Sequence, residues 1–560
     1  MSKTTKVQRQ TTNNKQQSLS DIINILLANR CIKTEKEKEE FYNPSNPQKI
    51  NLKDVGIDAK EIKKAVTRIT EAIKNNEKII VYGDYDVDGI CSTAILWETL
   101  VSLGANAMPY IPSRFTEGYG LNAESLKQLK DENPDLKLLI TVDQGIVANE
   151  KIDFAKSLGL DVIITDHHEP GETRPNALAI VHTTTMSGSG VSWILSKELR
   201  QVMGTRLQED HLGLAALGTV SDVLPLIGVN RSIAFWGLKE LRKTERPGIK
   251  ALVKEAVIDQ REIDTYHIGY IISPRLNAMG RLEHAMDSLR LICTKDHLRA
   301  QELAAKLGKT NRARQEKTDT TLQHVDSNFG CKWNGENLPK ILFAYHESYE
   351  EGIIGIAAGR LVDKYYRPAI VISRGEEFSK ASARSVSGVN IIELIRKVGS
   401  ELYVNAGGHS MAAGFTIRTE NLEILKRKLN EACELEITSE NLTKKVRVDC
   451  DLDFDKITPS LYLELEKFTP FGFGNPEPTF QSTDVHVVNS RLVGKTQEHL
   501  KLQLVQGEGE AMFDAIAFRM GKYYSQLSPD KPIQVVYSIE KDEWNGRKKL
   551  QLKIKDIQIS

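Results

Sequence analysis

No two cysteines in this chain are spaced as Cys-x-x-Cys; the six present, Cys31, Cys91, Cys293, Cys331, Cys433 and Cys450, are scattered. That pattern argues against a zinc ribbon and against a disulfide framework, and a reducing cytoplasm is expected. No apolar run reaches the ~18 residues of a membrane span. The polar opening MSKTTKVQRQTTNNKQQ also lacks the apolar stretch of a signal peptide, so residues 1–18 are expected to be a disordered tail and no membrane association is expected. Neither sign of charge is in excess, with 75 Lys+Arg against 75 Asp+Glu. No global field therefore draws the protein to a polyanion, and any nucleic-acid contact has to come from local patches. Internal repeats are missing too, and a monomer is expected.

What is present fits a soluble multidomain protein: 560 residues, 40% hydrophobic and 27% charged, enough for about three to five domains. Residues 19–70 read as an N-terminal helical cap. From 71 to 283 short apolar runs (KIIVYGD, LKLLITVD, DVIITDHH) alternate with helical patterns, the signature of βαβ units and a parallel sheet. Residues 284–329 read as one long charged connecting helix, and 330–440 as a second α/β domain. From 441 to 560 the periodicity switches to two, with a hairpin turn expected at Asn545-Gly546, which suits a small β-barrel of the OB-fold type.

Three of the apolar strands end in acids. KIIVYGD leads into Asp84, Asp86 and Asp88, LLITVD ends at Asp143, and VIITD ends at Asp166 followed by His167 and His168. In an open parallel sheet the carboxyl ends of the strands line the edge where ligands bind, so these side chains are expected to converge. Any one of them could simply cap the helix that follows. The set could not, because two like charges ~4 Å apart cost about 4 kcal/mol at an effective dielectric near 20. Several aspartates in one cleft call for cations. Oxygen ligands with one imidazole favour Mg²⁺ or Mn²⁺ over zinc, and a pair of such ions is the usual device for splitting a phosphodiester or phosphoanhydride. Asp222 in LAALGTVSDVLPL could complete the ligand set, though alone it is an ordinary helix-end acid.

GDYDVDG, TVDQG, TDHH and ALGTVSDVLPL occur in that order, followed by PRLNAMGRLEHA, IIGIAAGRLVDKYYRPAIVIS, SARS, NAGGHSMAAGF and FTPFGFGNPEPTF. This succession resembles the DHH phosphoesterase superfamily, in the version carried by the RecJ exonucleases, over roughly residues 75 to 560. The resemblance implies a DHH-type parallel-sheet catalytic domain, a DHH-associated α/β domain and a nucleic-acid-binding OB-fold. It implies that Asp84, Asp86 and Asp143 hold one divalent cation and Asp88, Asp143, His167 and Asp222 the other, with Asp143 bridging. His168 would then sit beside the scissile phosphate and help neutralise or protonate the leaving group. Four features depart from the family pattern: a short stretch after the histidines, His182 where asparagine is common, extra residues before the glycine in AYHESYEEGIIG, and Gln144 after the bridging aspartate.

The Gly-rich run Gly407, Gly408, His409 is expected at a helix start, where free N–H groups favour an anion. By resemblance, Ser382 and Arg384 bind a 5′-terminal phosphate, with Arg114 nearby, and Arg275, Asn277 and Arg281 contact the DNA backbone. Tyr523, Tyr524, Tyr537 and Trp544 beside Arg547, Lys548 and Lys549 could stack bases, although aromatics in a small barrel are more often core. The implied activity is 5′→3′ degradation of single-stranded DNA to 5′-mononucleotides in recombination and repair, beside a helicase and a single-strand-binding protein. A small-substrate phosphodiesterase or pyrophosphatase, and a catalytically dead DNA-binding scaffold, remain as alternatives.

Overall fold

The structure, a computed structural model, describes residues 6–9, 18–118, 120–205, 211–330, 338–544 and 547–559. These fall into two compact units. The first comprises Glu39–Glu316 with Pro470–Pro476, and the second Met1–Lys38, Lys317–Thr469 and Glu477–Ser560. Strands are numbered from β1 (Lys6–Arg9), which lies inside the expected tail and pairs in parallel with Lys445–Val448. Apart from β1 and Ser18, that tail lies outside the described residues.

At the centre of the first unit is a five-stranded, wholly parallel sheet of β2 (Lys78–Tyr82), β3 (Ala107–Tyr110), β4 (Leu136–Val142), β5 (Asp161–Asp166) and β6 (Ala179–His182), in the order β3-β2-β4-β5-β6. Its central strands β2, β4 and β5 carry apolar runs because both faces are covered. Ile79 and Val81 enter one core with the helices Ala59–Lys74, Val87–Ser102, Gly188–Val202 and Leu212–Ser221. Ile80 and Tyr82 enter the other, beneath Ala123–Glu132 and Asn149–Ser157. The chain leaves β2 for β3 on one side and returns to place β4 on the other, so the strand order reverses beside β2. Such a reversal opens a crevice at the carboxyl ends of the flanking strands.

Two expected boundaries move. Residues 19–70 do not form one cap: Lys38 and Glu39 fall in different units. Helix Ala59–Lys74 buries Ile62, Val66 and Ile69 in the core of the parallel sheet, and its Arg68 bonds Asp161 at 2.6 Å. The connecting helix is also broken, into Met286–Cys293 and His297–Val325. Asp296 interrupts it because its carboxylate accepts from the amides of Leu298 and Arg299 (2.8 and 3.1 Å) and so starts a new helix.

The second unit contains a mixed sheet in the order β10-β11-β9-β8-β7, made of β7 (Leu342–His346), β8 (Ala369–Ser373), β9 (Phe378–Arg384), β10 (Tyr403–His409) and β11 (Ala412–Arg418). Only β7 and β8 pair in parallel. After β12 (Lys445–Val448) come β13 (Cys450–Asp451), β14 (Phe480–Val493), β15 (His499–Gln506), β16 (Met512–Ala517), β17 (Ile533–Trp544) and β18 (Arg547–Ile559). They run in the order β13-β14-β15-β16-β18-β17, and β14 pairs with β17 to close a barrel. Asn545-Gly546 lies outside the described residues, but Trp544 is registered opposite Arg547, as a two-residue connection requires.

Candidate metal centre

The strand-end acids gather at the reversal of strand order. Beyond β2, the Asp84 carboxylate accepts from the Tyr85 amide (2.7 Å), and Asp86 caps the helix Val87–Ser102 by accepting from Gly89 (3.0 Å). Asp88 is turned toward the start of helix Gly188–Val202 and accepts from the amides of Gly188 (2.6 Å) and Ser189 (3.0 Å). Beyond β4, Asp143 sits in left-handed backbone (φ 61°), a conformation a non-glycine residue holds at a cost. Asp222 is the C-cap residue directly after helix Leu212–Ser221.

His167 binds the set together. Its Nε2 lies 3.1 Å from Asp143 Oδ1, 3.5 Å from Asp222 Oδ2 and 3.7 Å from Asp88 Oδ2. Three groups each bring ligand-type atoms within 4.8 Å of one another: Asp84/Asp86/Asp143, Asp88/His167/Asp222 and Asp143/His167/His168. Asp143 Oδ1 is buried, and despite the nearby imidazole it has no hydrogen-bond partner among the described residues. The close approach depends on missing side chains: a Cβ on Gly188 would collide with Asp143 Oδ1, and one on Gly218 with Asp88 Oδ1 and Ser189 Oγ.

Burial and mutual repulsion hold protons on these acids. Burial, followed by the Asp86 charge, pushes Asp84 up to about 8. Burial, followed by Asp88 and Asp86, does the same to Asp222. Asp86 and Asp143 are raised by burial and neighbouring aspartates, and burial lowers His167. An acid-rich, oxygen-dominated pocket with an orphaned buried oxygen fits divalent cations of the Mg²⁺/Mn²⁺ type.

A sign follows for metal binding. Below about pH 8 the cations have to displace protons from Asp84 and Asp222. Calorimetric titration with Mn²⁺ at pH 7 in two buffers of different ionisation enthalpy should therefore show proton release, with apparent affinity rising up to about pH 8 and levelling above it. In chelator the folded state holds protons that the unfolded chain gives up, so stability should fall as pH rises from the ordinary carboxyl range toward 8. Buffer-independent heats at pH 7 would contradict this assignment.

Asp166 was visible only as a strand-end acid, yet it organises the histidines. Its carboxylate accepts from the amides of Ile146 (2.9 Å), His167 (2.7 Å) and His168 (3.1 Å), and from His168 Nδ1 (2.7 Å). Burial opposes its ionisation, but the His168 hydrogen bond and charge hold it low. In return, against the cost of burial, Asp166 lifts His168 to about 9. His182, the departure noted above, contacts the His168 carbonyl through Nε2 (2.7 Å). Neither amide atom of buried Gln144 has a partner among the described residues.

The other expected residues divide between the units. In the first, Arg114 lies over the Tyr85 ring (5.4 Å to the centroid). The Tyr85 hydroxyl is pushed to about 12 by burial and Asp84, with Arg114 and Arg281 opposing, so both arginines act on the residue after Asp84. Asn277 accepts from the Val87 amide (3.0 Å), and Arg275 is engaged by Glu255 (2.7 Å) and the Ile271 carbonyl (2.9 Å). In the second unit, Arg384 bonds Ser382 Oγ (3.0 Å) and the Ala383 carbonyl (2.8 Å). Burial lowers its pKa, and no carboxylate pairs with it among the described residues.

Gly407, Gly408 and His409 are not at a helix start. They lie exposed on edge strand β10, opposite Gly414, Ala413 and Ala412 of β11. Extended backbone leaves no cluster of free helix-end amides there. The helix start that does lie beside Ser382 and Arg384 is that of Ile354–Tyr365, the helix the run IGIAAGRLVDKY predicts, whose Ile353 N-cap makes no side-chain bond. A Cβ on Gly355 in its first turn would lie 3.0 Å from both Ser382 Oγ and Arg384 Nη2; the signal was the glycine pair in GIIG. Of the barrel aromatics, Tyr537 is core, bonded to Ser482 (2.8 Å), while Tyr524 is exposed.

Three family models match the chain: the DHH family N-terminal domain over residues 78–219, the DHHA1 domain over 338–435 and the RecJ OB domain over 448–556. The chain is 37% identical to the single-stranded-DNA-specific exonuclease RecJ of Bacillus subtilis, over 93% of its own length and 65% of the relative's. It is 31% identical to the protein of that name from Haemophilus influenzae, covering 89% of this chain and 90% of the relative. The Mn²⁺ complex of Thermus thermophilus RecJ is similar with a TM-score of 0.82 at 26% identity, covering 96% of this chain and 76% of that one. For the Mg²⁺ complex the TM-score is 0.76 at 25% identity, with 96% and 75% covered.

Proposed function

Because the chain belongs to the RecJ family, we propose that it is a single-stranded-DNA-specific exonuclease that works from 5′ ends and releases 5′-mononucleotides, in DNA recombination and repair. The observation that carries this reading is the acid and histidine cluster around Asp143, whose shared carboxylate belongs to two of the ligand groups with buried aspartates. Asp84, Asp86 and Asp143 would hold one Mn²⁺ or Mg²⁺, and Asp88, Asp143, His167 and Asp222 the other. When bound, the cations supply an electrophile for the phosphate and acidify water.

The chain's own residues do the rest. Asp166 keeps His168 protonated near neutrality. His168 hydrogen-bonds the scissile phosphate and gives its proton to the departing 3′ oxygen, as water adds to phosphorus and the P–O3′ bond breaks. Ser382 and Arg384, with the helix start at Ile354, hold the 5′-terminal phosphate, and Arg114 and Arg281 offset charge near Asp84. Each cut leaves a new 5′-phosphate on the remaining strand. Cytoplasmic work beside a helicase and a single-strand-binding protein completes the proposal; no helix among the described residues is long and apolar enough to cross a membrane.

A small-substrate phosphodiesterase would use the same cluster, but the closed barrel of the RecJ OB type favours a longer strand. The purified chain with Mn²⁺ should degrade end-labelled single-stranded DNA from the 5′ end, with duplex DNA, short RNA and pyrophosphate poorer substrates, and chelator should stop it. Preference for pyrophosphate or dinucleotides would reverse the choice.

A further inference from the structure

The motif FTPFGFGNPEP has no role in the chemistry above, and the structure gives it an unexpected address. Pro470–Pro476 belongs to the first unit although the residues on either side belong to the second. The loop closes on itself through Gly472 and Asn475, whose side chain also bonds the Pro470 carbonyl at 2.9 Å. It is fastened from outside by the Leu226 amide to the Phe473 carbonyl (2.7 Å) and by Thr265 Oγ1 to the Phe471 carbonyl (2.6 Å). A Cβ on Gly472 would lie 2.6 Å from Leu226 Cδ1, so the fit is close. A rigid loop thus holds an aromatic ring, Phe473, 62% exposed to solvent.

Beside it, Thr265 leads into the π-helix His267–Ile272, an irregularity that concentrates at functional sites. Tyr266 and Tyr270 stack here with ring centroids 5.0 Å apart and planes 27° apart, yet they are 57% and 74% exposed. Two tyrosines stacked on each other in solvent, in the segment that Thr265 ties to the loop of Phe473, bury little and leave aromatic faces free. Both fastenings lead back to the metal cluster. Leu226 is four residues after Asp222, and Ser221 Oγ bonds Ser273 Oγ (2.5 Å) directly after the π-helix. Val223, between them, is exposed and held at φ 59°, a rare conformation for a β-branched residue.

We propose that Tyr266, Tyr270 and Phe473 form a base-stacking platform for the unpaired strand beside Asp222. This rests on the single-stranded-DNA reading above and adds the group that reads unpaired bases near the cut. Stacking suits the site because every base offers a π face, whereas bases paired in a duplex have none free, so the platform selects unstacked strand without selecting sequence.

The test uses the full chain carrying Asp143→Asn, so that strands are bound without being cut. Binding of a 5′-phosphorylated 12-mer is compared with binding of the same strand lacking bases at positions 2–5. The parent should prefer the complete strand by about tenfold or more. Tyr270→Ala or Phe473→Ala should bring that ratio close to one, Tyr270→Trp should keep it, and Tyr270→Leu should lose it as alanine does. Melting curves and Mn²⁺ titration identify any variant that has misfolded. Strand binding with an unchanged ratio in the alanine variants overturns the platform alone. A ratio preserved by Tyr270→Leu also overturns it, because the surface is then merely apolar and fits a protein partner. Failure of the wild-type chain to degrade the complete strand in Mn²⁺ overturns the exonuclease reading together with the platform.

Discussion

Asp143→Asn should abolish strand cleavage, by more than about 10³-fold, with the protein still folded. Asparagine is the informative replacement because it fills the same volume and tolerates the left-handed backbone at φ 61° that alanine would strain. It removes the charge of the carboxylate shared between ligand groups and turns one oxygen into an NH₂ facing His167. Mn²⁺ titration should show weakened occupancy at both positions, and a thermal melt in chelator should match or exceed the parent's, since the variant no longer buries that acid. Near-parental turnover with unchanged metal content would remove Asp143 from the bridging role.

Arg384→Ala should leave Mn²⁺ binding intact and erase preference for the terminus. The wild-type guanidinium is half-buried with no carboxylate partner among the described residues, so an incoming phosphate meets a donor that is already partly desolvated. Charge-assisted hydrogen bonds of that kind are worth about 1.5–3 kcal/mol, so discrimination between 5′-phosphate and 5′-hydroxyl ends should fall roughly ten- to hundredfold. Initial rates on strands differing only at the 5′ terminus, with 3′-blocked controls, measure it. A variant that keeps its full preference, or a wild type that starts equally well from 3′ ends, would move the phosphate pocket elsewhere.

The candidate metal ligands were legible because β2, β4 and β5 are apolar runs that stop at acids, and a parallel sheet puts such ends on one edge. The reversal that brings the ends of β2 and β4 together was not, because strand order is a long-range property that no local pattern encodes. Asp166 was hidden by its own position: it reads as a fifth strand-end acid, and only its bonds to His167 and His168 show that it serves the histidines. The Gly407-Gly408 run misled because glycines carry no side chains from which a period of two can be read, so β10 looked like a turn before a helix. In the connecting segment the charge pattern continued across 294–296, and the capping carboxylate of Asp296 outweighed it.

The address of the Phe473 loop has a consequence for how the protein could be shortened. A stop codon at the natural-looking joint after residue 440 would delete more than the barrel. It would take away the carbonyls of Pro470, Phe471 and Phe473, which accept from Arg231, Thr265 and Leu226. Arg231 is buried, and its Nε is held by the Phe41 carbonyl (2.9 Å), so the missing acceptor could not easily be replaced by water. Arg231 and Thr265 are therefore tied to a peptide 239 and 206 residues further along the chain, and this part of the first unit stays open until that peptide has been made.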